Sequence, residues 1–461
     1  MADRTSKRII LGSAANGVGL LARVAEQLLM VPILLASWSA SLYGEWLLVA
    51  AVPIYLSLSD FGFVTASSNE LARRSANGIS AAAKSFYSDF LSAFARWSLL
   101  LSVLLGCGAF LVPLSSWLGL SHMTQFEAGS IFALLTWNVL LNQNGLVFQA
   151  GLRACRNVHS AFLVRAVAAF IRIGAIALAV SLVEAGPLEV AALTVAVRML
   201  EVSALALLSH LNGLTPRVRL LRRPAEKMAK YLGLGAEFTL IPLAEAIVLQ
   251  GMVIIVGVTM GAVLVAVFST HRTLTRLTFQ IVRLGVQPLI AEAGLLQGAE
   301  NREQLRRLVS VVSRLTFWTS LAAAAFLMIA GPVIFSAWTH GQIGFLPFLF
   351  APLLLATILE GIWRVPSAAR LGTNQHRPLA WGFFLLSLFG TGAAFALSHQ
   401  WGLIGAACAL VLVHAGMCVL TLRCNQAVLG ASMGQFIRDL TTPPILELRY
   451  VVRKLASRKS K

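Results

Sequence analysis

Apolar stretches long enough to cross a bilayer recur along the whole chain, at roughly 9–36, 42–67, 86–115, 127–150, 160–183, 187–211, 232–258, 261–290, 308–337, 345–368, 378–398 and 402–422. About 20 apolar residues in helical form span the hydrocarbon core. Lipid offers no hydrogen bonds, so each spanning backbone has to satisfy its own, which a helix does within one segment. Twelve such stretches in 461 residues leave room only for short connections. Apolar residues make up 57% of the chain and charged residues only 12%, against about 25% charged in an ordinary soluble protein. Disordered, collagen-like and disulfide-stapled classes are excluded on the same grounds. The fold class is an all-α polytopic membrane protein with about twelve transmembrane helices.

Lysine and arginine number 37 against 19 acidic residues, a net charge of +18. In a soluble chain that balance would direct attention to nucleic acid; here placement matters more, and no nucleic-acid partner is expected. The turns after even-numbered stretches carry Arg73, Arg74 and Lys84, then Arg153 and Arg156, Arg217 to Lys230, Arg302 to Arg307, and Arg370 with Arg377. The turns after odd-numbered stretches, at 37–41, 116–124, 184–187, 259–261, 339–344 and 398–401, contain no lysine or arginine. The positive-inside rule then puts both termini in the cytoplasm, with the basic tail at 449–461 against an anionic leaflet. Asn16, Arg23 and Glu26 interrupt the first apolar run too early for a cleavable signal, so it reads as an uncleaved span in a cytoplasmic (inner) membrane.

The longest polar connection, 212–231, divides the chain into a six-helix lobe at 1–211 and another at 232–425, followed by a basic tail at 426–461. Ala25-Glu26 in the first span and Ala244-Glu245 in the seventh occupy similar positions. Six spans per half make the repeats parallel. The five cysteines form no CxxC and accompany no histidine cluster, so neither a disulfide framework nor a metal or cofactor is expected.

An ionisable side chain at membrane depth is costly unless it faces protein or water, which makes each one a candidate. Arg272, Arg276, Gln280, Arg283 and Gln287 are spaced to share one face of the eighth span. At 1.5 Å per residue from an outer end near Gly261, the stripe runs from about 16 Å deep to about 33 Å deep. The first span places Asn16, Arg23 and Gln27 on one face with Glu26 beside Arg23, where the two could also merely neutralise each other. Ser57, Ser59 and Asp60 sit toward the cytoplasmic end of the second span, Glu237 and Glu245 in the seventh, and Glu360 with Arg364 in the tenth. Asp89 and Arg96, Arg165 and Arg172, and Arg198 and Glu201 are candidates for pairing within the bundle. Asn138, Asn142 and Gln149, with Gln143 and Asn144 adjacent, suit sugar hydroxyls or interhelical bonds equally. Residues 378–422 hold no Asp, Glu, Lys or Arg and read as lipid-facing scaffold. Arginine exceeds carboxylate on the most clearly cavity-lining face, and its planar fork suits phosphate, so the cargo is expected to be anionic and phosphorylated.

Tyr43-Gly44-Glu45-Trp46, leading through Pro53-Ile54-Tyr55-Leu56 to Asp60-Phe61-Gly62-Phe63, resembles the second span of bacterial polysaccharide-transport flippases, the Wzx-like O-antigen group of the multidrug/oligosaccharidyl-lipid/polysaccharide exporter superfamily. Phe268 to Arg276 is similar to their eighth span. The resemblance implies two six-helix lobes around a central cationic cavity, and transport of an undecaprenyl-diphosphate-linked glycan from the cytoplasmic to the outer leaflet. Its implied partners are that glycan, membrane lipids and the glycan polymerase machinery.

On this reading Arg272, Arg276 and Arg283 with Arg23 hold the diphosphate, while Gln280, Asn138 and Asn142 accept the sugar. Glu26, Asp60 and Glu245 are the candidates for coupling to an ion or to membrane potential. No nucleophile–base constellation stands out, so the chain is not expected to be an enzyme. The rivals are a multidrug or cation antiporter of the same fold, which the arginine excess disfavours, and a membrane glycan polymerase or ligase, for which the short outward turns leave little room.

Overall fold

The computed structural model describes residues 2–76, 78–219, 228, 236–298, 301–373, 375–429 and 432–444. Most of the expected linker, at 220–227 and 229–231, and the basic tail at 449–461 lie outside the described residues. Among the described residues there are helices and turns and no strand. Ten helices among the described residues are long and apolar enough to cross a membrane, and the protein is a multi-pass membrane protein.

The helices in chain order are α1 (Ala2–Leu35), α2 (Ala40–Ile54), α3 (Phe63–Arg74), α4 (Ala81–Leu111), α5 (Leu114–Trp117), α6 (Gln125–Ala154), α7 (Val158–Val183), α8 (Pro187–Leu211), α9 (Ala236–Ala246), α10 (Met252–Met260), α11 (Ala262–Thr275), α12 (Leu277–Gly298), α13 (Arg302–Trp338), α14 (Pro347–Gly372), α15 (Arg377–Leu429) and α16 (Met433–Thr441). Three of the expected apolar stretches are interrupted. The second breaks between α2 and α3, through a tight 3₁₀ turn at Tyr55–Leu58. The seventh widens into a π turn at Ile247–Gly251, between α9 and α10. The eighth is divided at Arg276, between α11 and α12.

The eleventh and twelfth stretches are the two arms of α15, which doubles back at Gly402 (φ 58°, ψ −138°), a conformation open only to glycine. A Cβ on Gly382 would overlap Leu420, on Gly390 Val413, on Gly405 the Leu397 carbonyl, and on Gly416 would press on Leu386. These pairs converge on residue 401, so the arms run antiparallel with glycines at the contact. Close backbone approach of this kind is how apolar helices associate where lipid removes the hydrophobic drive.

The chain forms two compact units. The first comprises 1–246, 260–267 and 338–343. In it α1 packs along α7, and α6 packs on α4 and α8. Phe86, Phe90 and Phe94 recur every fourth residue along one face of α4 and are fully buried; Phe63 of α3 meets Phe90 edge to face at 5.5 Å. Gly44 of α2 lies so close to the Ala262 carbonyl that a Cβ there would overlap it. Its neighbour Glu45 is fully buried and accepts hydrogen bonds from the backbone N–H groups of Ser121 (2.8 Å), His122 (2.9 Å) and Met123 (3.0 Å). That carboxylate fixes the turn ahead of α6 by meeting three backbone N–H groups that the turn leaves without helical partners.

The second unit comprises 247–259, 268–337 and 344–461. There α14 packs on α12 and α15, and Phe279, Val282 and Leu289 of α12, Val309 of α13 and Val365 of α14 share one core. Phe436 and Leu440 of the short α16 pack against Leu422 and Phe317.

Candidate functional site

The first unit holds a buried polar network. Arg172 of α7 donates twice to Glu26 of α1, Nε to Oε1 at 2.6 Å and Nη2 to Oε2 at 2.8 Å. Glu26 is thus paired across helices, not with Arg23 one turn away, which sits exposed on α1. Glu201 of α8, 3% exposed, accepts from Arg165 Nε at 3.1 Å and Arg198 Nη1 at 2.6 Å. Asn138 Oδ1 accepts from Arg198 at 3.1 Å, Gln149 Oε1 from Arg165 at 2.9 Å, and Asn142 Oδ1 from Arg165. Three guanidiniums, two carboxylates and three amides thereby pair inside the bundle, the arrangement that makes buried charge tolerable, while Arg172 Nη1 is buried with no hydrogen-bond partner among the described residues.

Asp60 belongs to the broken second stretch. Phe61 (φ 45°) and Gly62 (φ 76°) are both left-handed there, and the Asp60 carboxylate caps α3 by accepting from the Val64 N–H at 3.1 Å. Side chains also reach the carbonyls of the break: Gln143 donates to Leu56 O (2.9 Å), which accepts from the Ser59 N–H as well (3.1 Å), and Trp97 donates to Ser59 O (3.0 Å). A cavity of about 700 Å³ adjoins the break, lined by Ser57, Asp60, Asn69, Glu70, Arg73 and Thr239 among others. On α3, Glu70 accepts from Arg73 (2.8 and 2.9 Å) and Arg74 (2.7 Å). The Arg73 hydrogen bonds, helped by Arg74, pull its carboxyl down to about 2.

The second unit contains most of the eighth-span stripe. Arg272 donates through Nη1 to the Leu249 carbonyl at 2.8 Å, on the π turn, and lies over the Phe268 ring at 5.3 Å. Beside it His271 is fully buried; its Nε2 accepts from the Leu346 N–H at 2.9 Å, so this ring is a neutral structural acceptor at that nitrogen. Arg276 Nη1 lies 3.6 Å from Glu360 Oε2, and Arg364 Nη2 lies 3.2 Å from Glu360 Oε1. Gln280 Oε1 is buried and has no hydrogen-bond partner among the described residues. Arg283 is exposed on α12.

The structure therefore brings Arg272 and Arg276 into one unit with Glu360, Arg364 and Gln280. It gives Asn138, Asn142 and Glu26 partners inside the first unit. Glu245 is partly buried on α9. The side chains of Asn16, Glu237 and Gln287 lie outside the described residues. One residue was missed altogether: His414, on the second arm of α15, lies with its Nε2 4.0 Å from Glu360 Oε2 and its Nδ1 3.2 Å from Trp363 Nε1. The scaffold reading of 378–422 fails at this position, because an inventory of formal charges passes over histidine.

No protein-family model and no curated protein matches the chain. Solved structures do. An inward-facing multidrug resistance transporter of the MATE family, in the MOP superfamily, aligns with a TM-score of 0.71 at 17% identity, covering 88% of this chain and 95% of that one. The lipid II flippase MurJ, in an inward closed conformation, aligns with a TM-score of 0.71 at 12% identity, covering 96% and 93%. A MOP superfamily transporter from Pyrococcus furiosus, described as having a binding pocket of reversed polarity, aligns with a TM-score of 0.57 at 17% identity, covering 92% and 97%. The chain thus has the fold that these multidrug transporters and the lipid flippase share.

Proposed function

We propose that the protein is a flippase that carries a polyprenyl-diphosphate-linked oligosaccharide from the cytoplasmic to the outer leaflet of a bacterial inner membrane, by alternating access, for surface polysaccharide synthesis. The observation that supports this most is the charge imbalance in the second unit. One carboxylate, Glu360, faces both Arg276 and Arg364, and Arg272 has a backbone carbonyl in place of an anion. Guanidinium charge in excess of carboxylate, at membrane depth, favours a ligand that brings negative charge with it. A cationic drug would meet repulsion from the same groups.

In this reading Arg272, Arg276 and Arg283 engage the diphosphate, and the orphan Gln280 Oε1, on the same face, accepts from a sugar hydroxyl. Asn138 and Asn142 use their carbonyl oxygens on arginines, so their NH₂ groups are what a glycan would meet. The polyprenyl chain stays among membrane lipids, and the flipped product is the substrate a glycan polymerase would consume.

A cation antiporter has one observation in its favour: Asp60 and Glu70 line the same cavity of the first unit. Reconstitution separates the two readings. Proteoliposomes carrying the full chain are expected to move a fluorescent lipid-diphosphate oligosaccharide between leaflets and not to accumulate ethidium. Ethidium transport without lipid transfer would overturn the flippase assignment.

A further inference from the structure

Glu360 is 3% exposed and makes three contacts with groups that could balance or protonate it. Its Oε1 meets Arg364 at 3.2 Å; its Oε2 meets Arg276 at 3.6 Å and His414 Nε2 at 4.0 Å. The Trp363 indole N–H points at His414 Nδ1 over 3.2 Å. An indole nitrogen only donates, so Nδ1 has to be bare, and the ring carries its proton on Nε2. His414 is therefore neutral and turns an N–H toward Glu360. Among the described residues, the negative charge of Glu360 is balanced by the two arginines.

The arginines are not held alike. Arg364 is boxed by the rings of Trp363 (4.4 Å), Phe383 (5.4 Å) and Phe279 (5.8 Å). Arg276 has one ring, Phe279, at 5.3 Å, the longer ion-pair distance, and a side chain that is 23% exposed. It is also one helical turn from Arg272 on the same face. Arg276 is the guanidinium that can change partners.

We propose that Glu360 is an internal substitute for the cargo's phosphate: an anionic ligand takes Arg276 from it, and the released Glu360 carboxylate takes up one proton from water. This rests on the anionic-cargo reading and adds the coupling ion to it. Among the described residues, the charged or titratable groups acting on Glu360 are Arg276 from the α11–α12 junction, Arg364 on its own helix, and His414 from α15. The π turn at Ile247–Gly251, which packs on α15, carries no titratable side chain. With Arg276 withdrawn, the carboxylate keeps one fixed arginine and a neutral imidazole in a buried setting, where a proton is the available compensation. His414 Nε2–H then positions the protonated group, and its tautomer is fixed by Trp363. Ligand and proton load together, so binding strengthens as pH falls.

The test uses the full chain in lipid nanodiscs, with inorganic pyrophosphate as the probe. Isothermal titration from pH 6 to 8, in buffers of different protonation enthalpy, counts the protons taken up on binding. The wild type is expected to take up about one proton more than Glu360→Gln. Its affinity, compared with that of the variant, is expected to weaken by up to about tenfold per pH unit, the slope for one linked proton. Glu360→Gln, a permanent mimic of the protonated group, is expected to bind at pH 8 at least as tightly as the wild type does at pH 6. If the variant fails to fold, inorganic sulfate on the wild type gives the proton number directly, since its charge is constant over this range. Binding with no extra proton uptake overturns the inference and leaves the anionic-cargo reading standing. Absence of binding to either anion at any pH overturns both.

Discussion

The Arg172 guanidinium closes a two-point clamp on the Glu26 carboxylate, and the two residues lie 146 positions apart in the chain. The clamp fastens the first helix to the fifth apolar stretch. Arg172 is nearly buried, with its side chain 8% exposed, while Glu26 is 28% exposed.

Glu26→Gln will leave Arg172 charged and half-satisfied, and is expected to cost up to about 3 kcal/mol, toward the low end for a broken buried pair because Glu26 is partly solvated. The check is the thermal unfolding midpoint of the purified protein in detergent. The double variant Glu26→Gln/Arg172→Gln is expected to recover part of the loss. An unchanged midpoint with abolished transport would restore Glu26 as a coupling residue.

Arg272→Ala is expected to reduce leaflet transfer at least tenfold. It removes the charge and also the hydrogen bond to the Leu249 carbonyl. Arg272→Lys keeps the charge without the fork and is expected to recover part of the activity. Leu274→Ala on the same helix, off the arginine face, is the control. Full transfer by Arg272→Ala at normal expression would remove this residue from the binding site.

Gly44→Ala will drive a methyl group into the Ala262 backbone, which cannot yield as a side chain would. A loss of about 1–3 kcal/mol is expected from the overpacking, read as a lowered unfolding midpoint. Gly17, on α1, has nothing within 4 Å of its Cβ position, so Gly17→Ala is expected to leave stability unchanged. Slower transfer by that variant at unchanged stability would identify α1 as a helix that has to bend.

The Glu70 carboxyl, held down to about 2 by Arg73 and Arg74, stabilises the end of α3 by an amount that depends on pH. A depressed carboxylate contributes fully above its unfolded value, about 4.3, and loses its contribution as pH falls toward 2. Arg73 is 76% exposed, so water screens the pair and the effect is expected to be a few tenths of a kcal/mol. Unfolding midpoints of wild type and Glu70→Gln are expected to differ at pH 6 and to draw together progressively as pH falls from about 4 toward 2. A constant gap would mean that Glu70 acts through packing.

Orientation is open to direct labelling in a cysteine-free background. Cys in place of exposed Ser116 is expected to react with an impermeant maleimide in intact cells. Cys in place of exposed Arg153, in the last turn of α6, is expected to react only after lysis. The opposite pattern would invert the topology.

The apolar stretches were legible because each reports on its own segment: composition alone says where a helix can sit in lipid. The interruptions were not. The turn at Tyr55–Leu58 is held by Gln143 and Trp97, from α6 and α4, which donate to the Leu56 and Ser59 carbonyls. The π turn is tolerated in part because Arg272 takes the Leu249 carbonyl. Both depend on partners distant in sequence, which periodicity does not encode. The Glu360–Arg364 pair was readable from its one-turn spacing; the third and fourth members, Arg276 and His414, arrive from other helices. Glu45 lies in the Tyr43–Trp46 segment, yet its work, holding the turn at 121–123, is visible only when that turn is in place.

The doubled-back α15 has a bearing on how the protein is made. Its reversal takes a single glycine, so the second arm leaves the ribosome directly behind the first, with its glycine contacts already in register. The two arms can therefore pair while still at the insertion machinery, before any other helix competes for the notches at Gly382 and Gly390. A reporter fused after residue 401 would strand the first arm with those notches unfilled, and would describe the biogenesis of a different object.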